Sequence, residues 1–465
     1  MRIHQSVAIA TALLISAGTN VWAAGSTWRV TNDGTDSGSC GSASSPCRSI
    51  SQAVENASAG DIISVGAGIY GNISGDGSFT HPGDEHPQLV PRQRSGRSPD
   101  GCIVCITKPL KVLSLHGAAA TIIVGTTSTT YPATVQISSP GVTFGNVGQG
   151  FTVTGGNAFG VYVDQDAVEP ALQQNINIGG NVDIGDGTGF AFNGLEFSDH
   201  PCPDPSCLAT ATVFFTNNQA TANGTGFSFV DNAYAGTAAF KNNLASGGGT
   251  GFDVQSGFQS ETGEAVGVGN VSVTGNIAVH NGYGFSLAQT GAITGNSAFA
   301  NSKAGYLVVP GSVFQGNSAI GNSGPGLIVQ DSTDIFDDMN SDPRDQIRVF
   351  NHNNFYGNDR NRPALRVVEA NAAGDNPGID TGPGAHCGIL NVGKVAAAPG
   401  QPGPANGDPP SPIVIQTATN NFWGSAKGPS ATGPGDAAGG VCDQNGGVTI
   451  SKPFATVDFA ITTTP

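Results

Sequence analysis

One short stretch of the chain gathers the residue types that proton transfer and cation binding need. Asp331, Asp334, Asp337, Asp338, Asp342 and Asp345 lie there beside Arg344, Arg348, Arg360, Arg362 and Arg366. His352, Tyr356 and Asp359 fall among them. Grouped carboxylates supply the hard oxygen ligands that calcium takes about six to eight at a time. Asp334, Asp337 and Asp338 are therefore candidate ligands, and calcium is the one cofactor suggested. A cation with Arg344 would stabilise negative charge as it develops on a substrate. Arg348 or His352 would act as the base. The competing reading is a solvated loop, in which the aspartates and arginines pair at the surface and each pair contributes little.

Basic residues are scarce elsewhere. From Leu113 to Pro343 there is no arginine, and the lysines are Lys241 and Lys303. A second basic group, Arg92, Arg94 and Arg97, lies in a stretch rich in Pro, Gly and His. Nearby, His81 and His86 flank Asp84-Glu85, a set that suits either a metal or a polar loop. Charged residues make up 11% of the chain and the formal net charge is −16, which excludes the basic surface that nucleic acid or an anionic membrane requires.

What must position these residues is a repeat. A glycine followed by apolar, any, apolar recurs at Gly160, Gly189, Gly226, Gly251, Gly284, Gly305 and Gly326. The gaps are 29, 37, 25, 33, 21 and 21 residues. A period near 21 with insertions marks a solenoid, whose repeats bury their apolar faces only by stacking. A second strand recurs in Val273-Thr274-Gly275-Asn276-Ile277-Ala278, Ile293-Thr294-Gly295-Asn296-Ser297-Ala298 and Phe314-Gln315-Gly316-Asn317-Ser318-Ala319. Gly-Asn suits a corner that needs positive φ, stacked asparagines can form a ladder, and the alanine fits where the coil is narrow. These features predict an all-β fold, a right-handed parallel β-helix with strands ~4.8 Å apart in successive coils. Phe227, Phe229, Phe285 and Leu287 should point inward. A propeller blade needs roughly 40 residues, and a constant 21-residue period argues against a sandwich as well.

The chain divides into a signal peptide at 1–23, a cap and first coil at 24–75, a loop insertion at 76–105, the β-helix at 106–420 and a closing segment at 421–465. The apolar Val7–Ala17 stretch with Val21-Trp22-Ala23 reads as a cleaved export signal, too short to span a bilayer. The product is then secreted or periplasmic, with no membrane span. Ser49 with Gln52 and the apolar spacing of Ile50, Ala53, Val54 and Ala57 predict a short helix that covers the open end of the first coil. Eight cysteines in an exported chain suggest disulfides: Cys40 with Cys47, Cys202 with Cys207, Cys387 with Cys442. Cys102 and Cys105 are left. Strand residues three apart point to opposite faces, so either 102–105 is a turn or the two pair elsewhere.

The start module, Asp33-Gly34-Thr35-Asp36 through Ser45-Pro46-Cys47-Arg48-Ser49-Ile50 to Gly66-Ala67-Gly68-Ile69-Tyr70, resembles the opening of secreted pectate-lyase-like right-handed β-helix proteins. Asn420-Asn421-Phe422-Trp423-Gly424 is similar to the segment that closes many of them. The resemblance implies an extracellular polysaccharide as partner and lyase or epimerase-like chemistry on acidic glycans. Such lyases use a base and a cation that neutralises the sugar carboxylate, the roles open to Arg348 or His352 and to Arg344 with calcium. The alternative is a non-catalytic surface or matrix solenoid, since the group also contains such members. Asp337-Asp338 resembles the paired aspartates of pectin-hydrolysing members, without their Gly-His-Gly and Arg-Ile-Lys motifs. Tyr356-Gly357-Asn358-Asp359 partly resembles the alginate epimerase signature, with Arg360-Asn361 where Pro-His would follow. The missing motifs favour the non-catalytic reading, and the Arg/Asp segment favours the catalytic one.

Overall fold

The computed structural model describes residues 25–74, 79, 81–90, 100–164, 175–193, 212–231, 236–256, 270–288, 291–308, 313–324, 326–330, 349–358, 415–428 and 452–461, with the short strands 258–259, 265–266, 365–368, 387–392, 440–444 and 448–450. Among these residues the fold is a parallel β-helix. Three long sheets of eleven, ten and thirteen strands run its length, and almost every neighbouring pair is parallel. No helix among the described residues is long and apolar enough to cross a membrane.

The helix at Ile50–Asn56 covers the first coil, burying Ile50, Ala53 and Val54. Ser49 is its N-cap, its hydroxyl accepting from Gln52 N at 3.1 Å. The reciprocal half of a capping box is not formed, because the Gln52 amide turns to Glu55 and Asn56. The orphan donors go to Glu85 instead: Ile50 N reaches Oε1 at 2.8 Å and Ser51 N reaches Oε2 at 2.7 Å. At the other end the Lys108 ammonium donates to the carbonyls of Val54, Glu55 and Ala57 at 3.0, 2.8 and 2.8 Å. A cation is favoured there by the helix dipole.

Glu85 belongs to the 76–105 stretch expected as an exposed loop, yet both it and Asp84 are fully buried. Asp84 closes its own turn by accepting from Ile73 N at 3.1 Å and from His81 N at 2.5 Å. Burial pushes the Glu85 carboxyl up to about 7, against the pull of the Ser51 and Ile50 donors. The fold therefore favours its protonated form. That stabilisation is complete below the ordinary value of 4.5 and is lost as pH rises through about 7. Glu85→Gln should flatten the fall in melting temperature between pH 5 and 8. An unchanged slope in that variant would remove Glu85 as its source.

The interior is made of stacked equivalents. Phe190, Phe227, Phe252, Phe285 and Tyr306 pair in register along the third sheet, with centroids 5.0, 4.7, 4.8 and 4.8 Å apart. At the first corner Gly275, Gly295 and Gly316 take φ of 67, 64 and 66°, and the asparagine after each turns inward. Asn181, Asn218, Asn243, Asn276, Asn296, Asn317, Asn353 and Asn421 form one buried ladder, each donating its backbone N–H to the next Oδ1. A second ladder at the next corner joins Asn281, Asn301, Asn322 and Asn358. Between the ladders runs a row of inward alanines, Ala220, Ala245, Ala278, Ala298 and Ala319. The repeat glycine packs against this row. A methyl on Gly226 would lie 2.9 Å from Ala245 Cβ and 2.7 Å from Gly251 O, so close approach fixes glycine there.

Cys40 and Cys47 are bonded as expected, and Cys102 is bonded to Cys105. The second bond corrects the choice between a turn and distant partners. Asp100–Ile106 is a strand whose alternation breaks, since Ile103 and Val104 both join the core. Cys102 and Cys105 consequently share the outer face, with Cα atoms 5.5 Å apart. Cys387–Val392 and Gly440–Gln444 pair in parallel, which sets the backbone of Cys387 and Cys442 on neighbouring strands. The side chains of these two, and all of Cys202 and Cys207, lie outside the described residues, as do residues 1–24. At the far end Asn421 completes the first ladder and the buried Trp423 stacks on Phe355 at 5.6 Å.

Candidate functional site

Asp334, Asp337, Asp338, Arg344 and Arg348 lie outside the described residues. Their segment joins the third-sheet strand Leu327–Gln330 to the first-sheet strand Val349–Asn351. His352 is described. It stands at the first corner with φ 58°, where earlier coils place Gly295 and Gly316. Its Nδ1 is 2.6 Å from Asn351 Oδ1, and its ring meets Phe459 edge-on at 5.0 Å. Along the chain, the strand Val349–Asn351 lies between His352 and the 331–348 stretch. Tyr356 donates to Asp458 Oδ2 at 3.4 Å, and burial with the Asp458 charge holds its phenol above the usual range. Gly357 takes φ 64° and Asn358 ends the second ladder, so these two epimerase-like residues serve as a corner, while Asp359 lies outside the described residues. His81 Nδ1 lies 3.4 Å from Asp84, and His86 shares Asp36 with Arg48.

The repeat's variable period has one source. First-sheet and second-sheet strands follow each other through corners of nearly constant length, as in Asn270–Thr274 to Ile277–Val279. Between Gly160 and Gly326 and just after it, the long connections leave the ends of third-sheet strands: Phe159–Val163, Thr188–Asn193, Thr225–Asp231, Thr250–Ser256 and Leu327–Gln330. The next first-sheet strands start only at Ile176, Thr212, Thr237, Asn270 and Val349. Each of these connections, 331–348 included, therefore starts from the end of a third-sheet strand and returns to a first-sheet strand.

The outer face of that sheet is built from the residue before each repeat glycine and the one two after it. The second of these rows runs Cys105, Gln136, Tyr162, Ala191, Ser228, Asp253, Ser286 and Leu307. Gln136 Nε2 donates at 3.1 Å both to Asp164 Oδ2 and to Ser138 Oγ. Phe159 stacks on Tyr162 at 4.8 Å. Lys303, one of the two lysines of the regular coils, stands 5.1 Å over the Tyr283 ring. Sequence reading missed this aromatic–cation pair because its members sit in adjacent coils. The signal was available at the position before Gly284, which the register aligns with Ala304.

No family model, curated protein or solved structure matches the chain.

Proposed function

We propose that the chain is an exported β-helix that binds an acidic extracellular polysaccharide along the outer face of the third sheet. One observation carries this reading: from Gly160 onward the long connections between sheets start at the ends of third-sheet strands, while the other two corners of those coils are held by asparagine ladders. Half-buried Ser228 and Ser286 offer hydroxyl groups to sugar hydroxyls. Tyr283 presents an apolar ring, and Lys303 beside it supplies a cation for a uronate carboxylate. In the 331–348 segment, Asp334, Asp337 and Asp338 would hold calcium, and Arg344 and Arg348 would serve lyase-like chemistry. The bonds Cys40–Cys47 and Cys102–Cys105 agree with an oxidising compartment, either periplasmic or extracellular.

The test is titration of the purified chain with polyuronates, with and without calcium, followed by ultraviolet absorbance for unsaturated sugar. Tyr283→Ala should weaken binding roughly twofold to fivefold, because it removes the ring on which the exposed Lys303 ammonium is held. Absence of wild-type binding to any acidic glycan would remove the reading. A spacer or matrix solenoid would then stand, supported by the two ladders and the phenylalanine stack that stiffen the coil.

A further inference from the structure

One coil breaks the interior pattern. Asp183 occupies the inward row that is alanine in the next five coils, pairing with Ala220 on one side and Val153 on the other. Its side chain is fully buried, and Asp186 of the same coil is 2% exposed. A methyl on Gly160 would collide with Asp183 Oδ2 and come within 2.8 Å of Asp186 Oδ2, so both carboxylates reach the same point. A methyl on Gly189 would lie 2.5 Å from Asn223 Nδ2 and 3.1 Å from Asp183 Oδ1, which brings Asn223 to the other side of the pair. Asn223 is 3% exposed, and its Nδ2 makes no hydrogen bond of ordinary geometry. Both oxygens of Asp183 and Oδ2 of Asp186 likewise find no ordinary partner. Asp186 spends Oδ1 on Gly156 N at 2.7 Å and donates its own N–H to Asn223 Oδ1 at 2.8 Å, the same bond that links the asparagines of the second ladder.

Two buried carboxylates in contact cannot both remain ionised without a neutralising charge. The chain has no lysine or arginine between Val112 and Phe240. Among the strands packed round the pair, Ala133–Ile137, Thr152–Thr154, Phe159–Val163, Thr188–Asn193 and Gln219–Thr221, the one titratable side chain is Tyr162, which lies on the outer face. Neutralisation therefore comes from outside the chain, as a proton or a small cation. The Asn223 amide donor directed at Asp183 suits a carboxyl pair. Calcium would need about six to eight oxygens, more than converge here.

We propose that Asp183 and Asp186 share one proton inside the coil and form an acid-dependent latch on the central coils. The proton sits on Asp183 and is donated to Asp186 Oδ2, while Asn223 donates to the other Asp183 oxygen. Burial first, then the neighbouring charge, raises Asp183 well above the carboxylate range, and burial raises Asp186. The folded state thus binds the proton more tightly than the unfolded chain. The stabilisation is present in acid and is lost as pH rises through the raised values. Removing the proton leaves two like charges in contact, with nothing but Asn223 between them and the apolar core.

Hydrogen exchange of the full chain, read as protection factors from pH 5 to 9, tests this. One linked proton changes the opening constant about tenfold per pH unit. Protection in 150–230 should fall at about that rate once the proton leaves, while 277–320 holds level. Asp183→Ala places the row's own residue there, and Asp183→Asn keeps the shape without the charge. Both should abolish the pH slope in 150–230 and exceed wild-type protection at pH 9. An unaltered slope in both variants overturns the latch. So does calcium chloride restoring wild-type protection at pH 8 without affecting Asp183→Ala, since the pair would then be a cation site.

Discussion

Asn296→Ala is expected to destabilise the β-helix by about 3–5 kcal/mol, several times the effect of an exposed substitution. The side chain is fully buried and its amide is fully used. Its Oδ1 accepts from Asn276 N at 2.9 Å and Asn276 Nδ2 at 3.0 Å. Its Nδ2 donates to Val273 O at 2.8 Å and Asn317 Oδ1 at 3.0 Å. Alanine leaves Asn276 N and Val273 O buried without these partners, and each such group costs about 1–3 kcal/mol. Asn296→Asp should be worse, because it keeps the acceptor, loses both donors and buries a charge. Denaturant unfolding of the two variants beside Thr294→Ala, a half-buried neighbour outside the ladder, gives the comparison. Equal losses at 294 and 296 would mean that the ladder carries no special share of the stability.

The first ladder was legible because Gly-Asn recurs after 20 and then 21 residues, at Asn276, Asn296 and Asn317. The second stands five residues further on in each coil, as Asn276 with Asn281 and Asn296 with Asn301, and it needed only that spacing to be noticed. Asp183 was equally visible: Asn181-Val182-Asp183 aligns with Asn276-Ile277-Ala278, so the aspartate falls on an interior row. Other features had no local signal. Glu85 reaches the helix N-terminus across 34 and 35 residues, and Lys108 reaches its C-terminus across more than 50. The Cys102–Cys105 bond was misjudged for a physical reason. Alternation of side chains fails where the chain turns into the third sheet, and the positions filled by Ile103, Thr134 and Gly160 mark that break in successive coils.

The candidate chemistry was legible only as composition. Asp334, Asp337, Asp338, Arg344 and Arg348 share a stretch because the repeat breaks there, and a break has no period from which to read side-chain direction. His352 shows the limit of proximity in sequence. Four residues from Arg348, it sits at a corner whose backbone geometry glycine fills elsewhere. The arrangement of the coils is what made the third-sheet face the better place to look, since each coil adds one residue to every row.

Phe227→Ala should cost about 3–5 kcal/mol and also change how the protein unfolds. The Phe227 ring is fully buried between Phe190 at 5.0 Å and Phe252 at 4.7 Å, with Phe240 edge-on at 6.4 Å. No side chain from another layer fills the gap that alanine leaves, because the rows above and below are set by the strand spacing. A solenoid is held by contacts between nearest neighbours, so a cavity at one interface weakens the link between the coils on either side. Unfolding of the variant should therefore separate into two steps, with backbone amides on one side of residue 227 exchanging before those on the other. Phe227→Leu restores much of the lost volume and should recover more than half of the stability in a single transition. A loss below about 1 kcal/mol in Phe227→Ala, with one transition retained, would show that the aromatic stack fills space without coupling the coils.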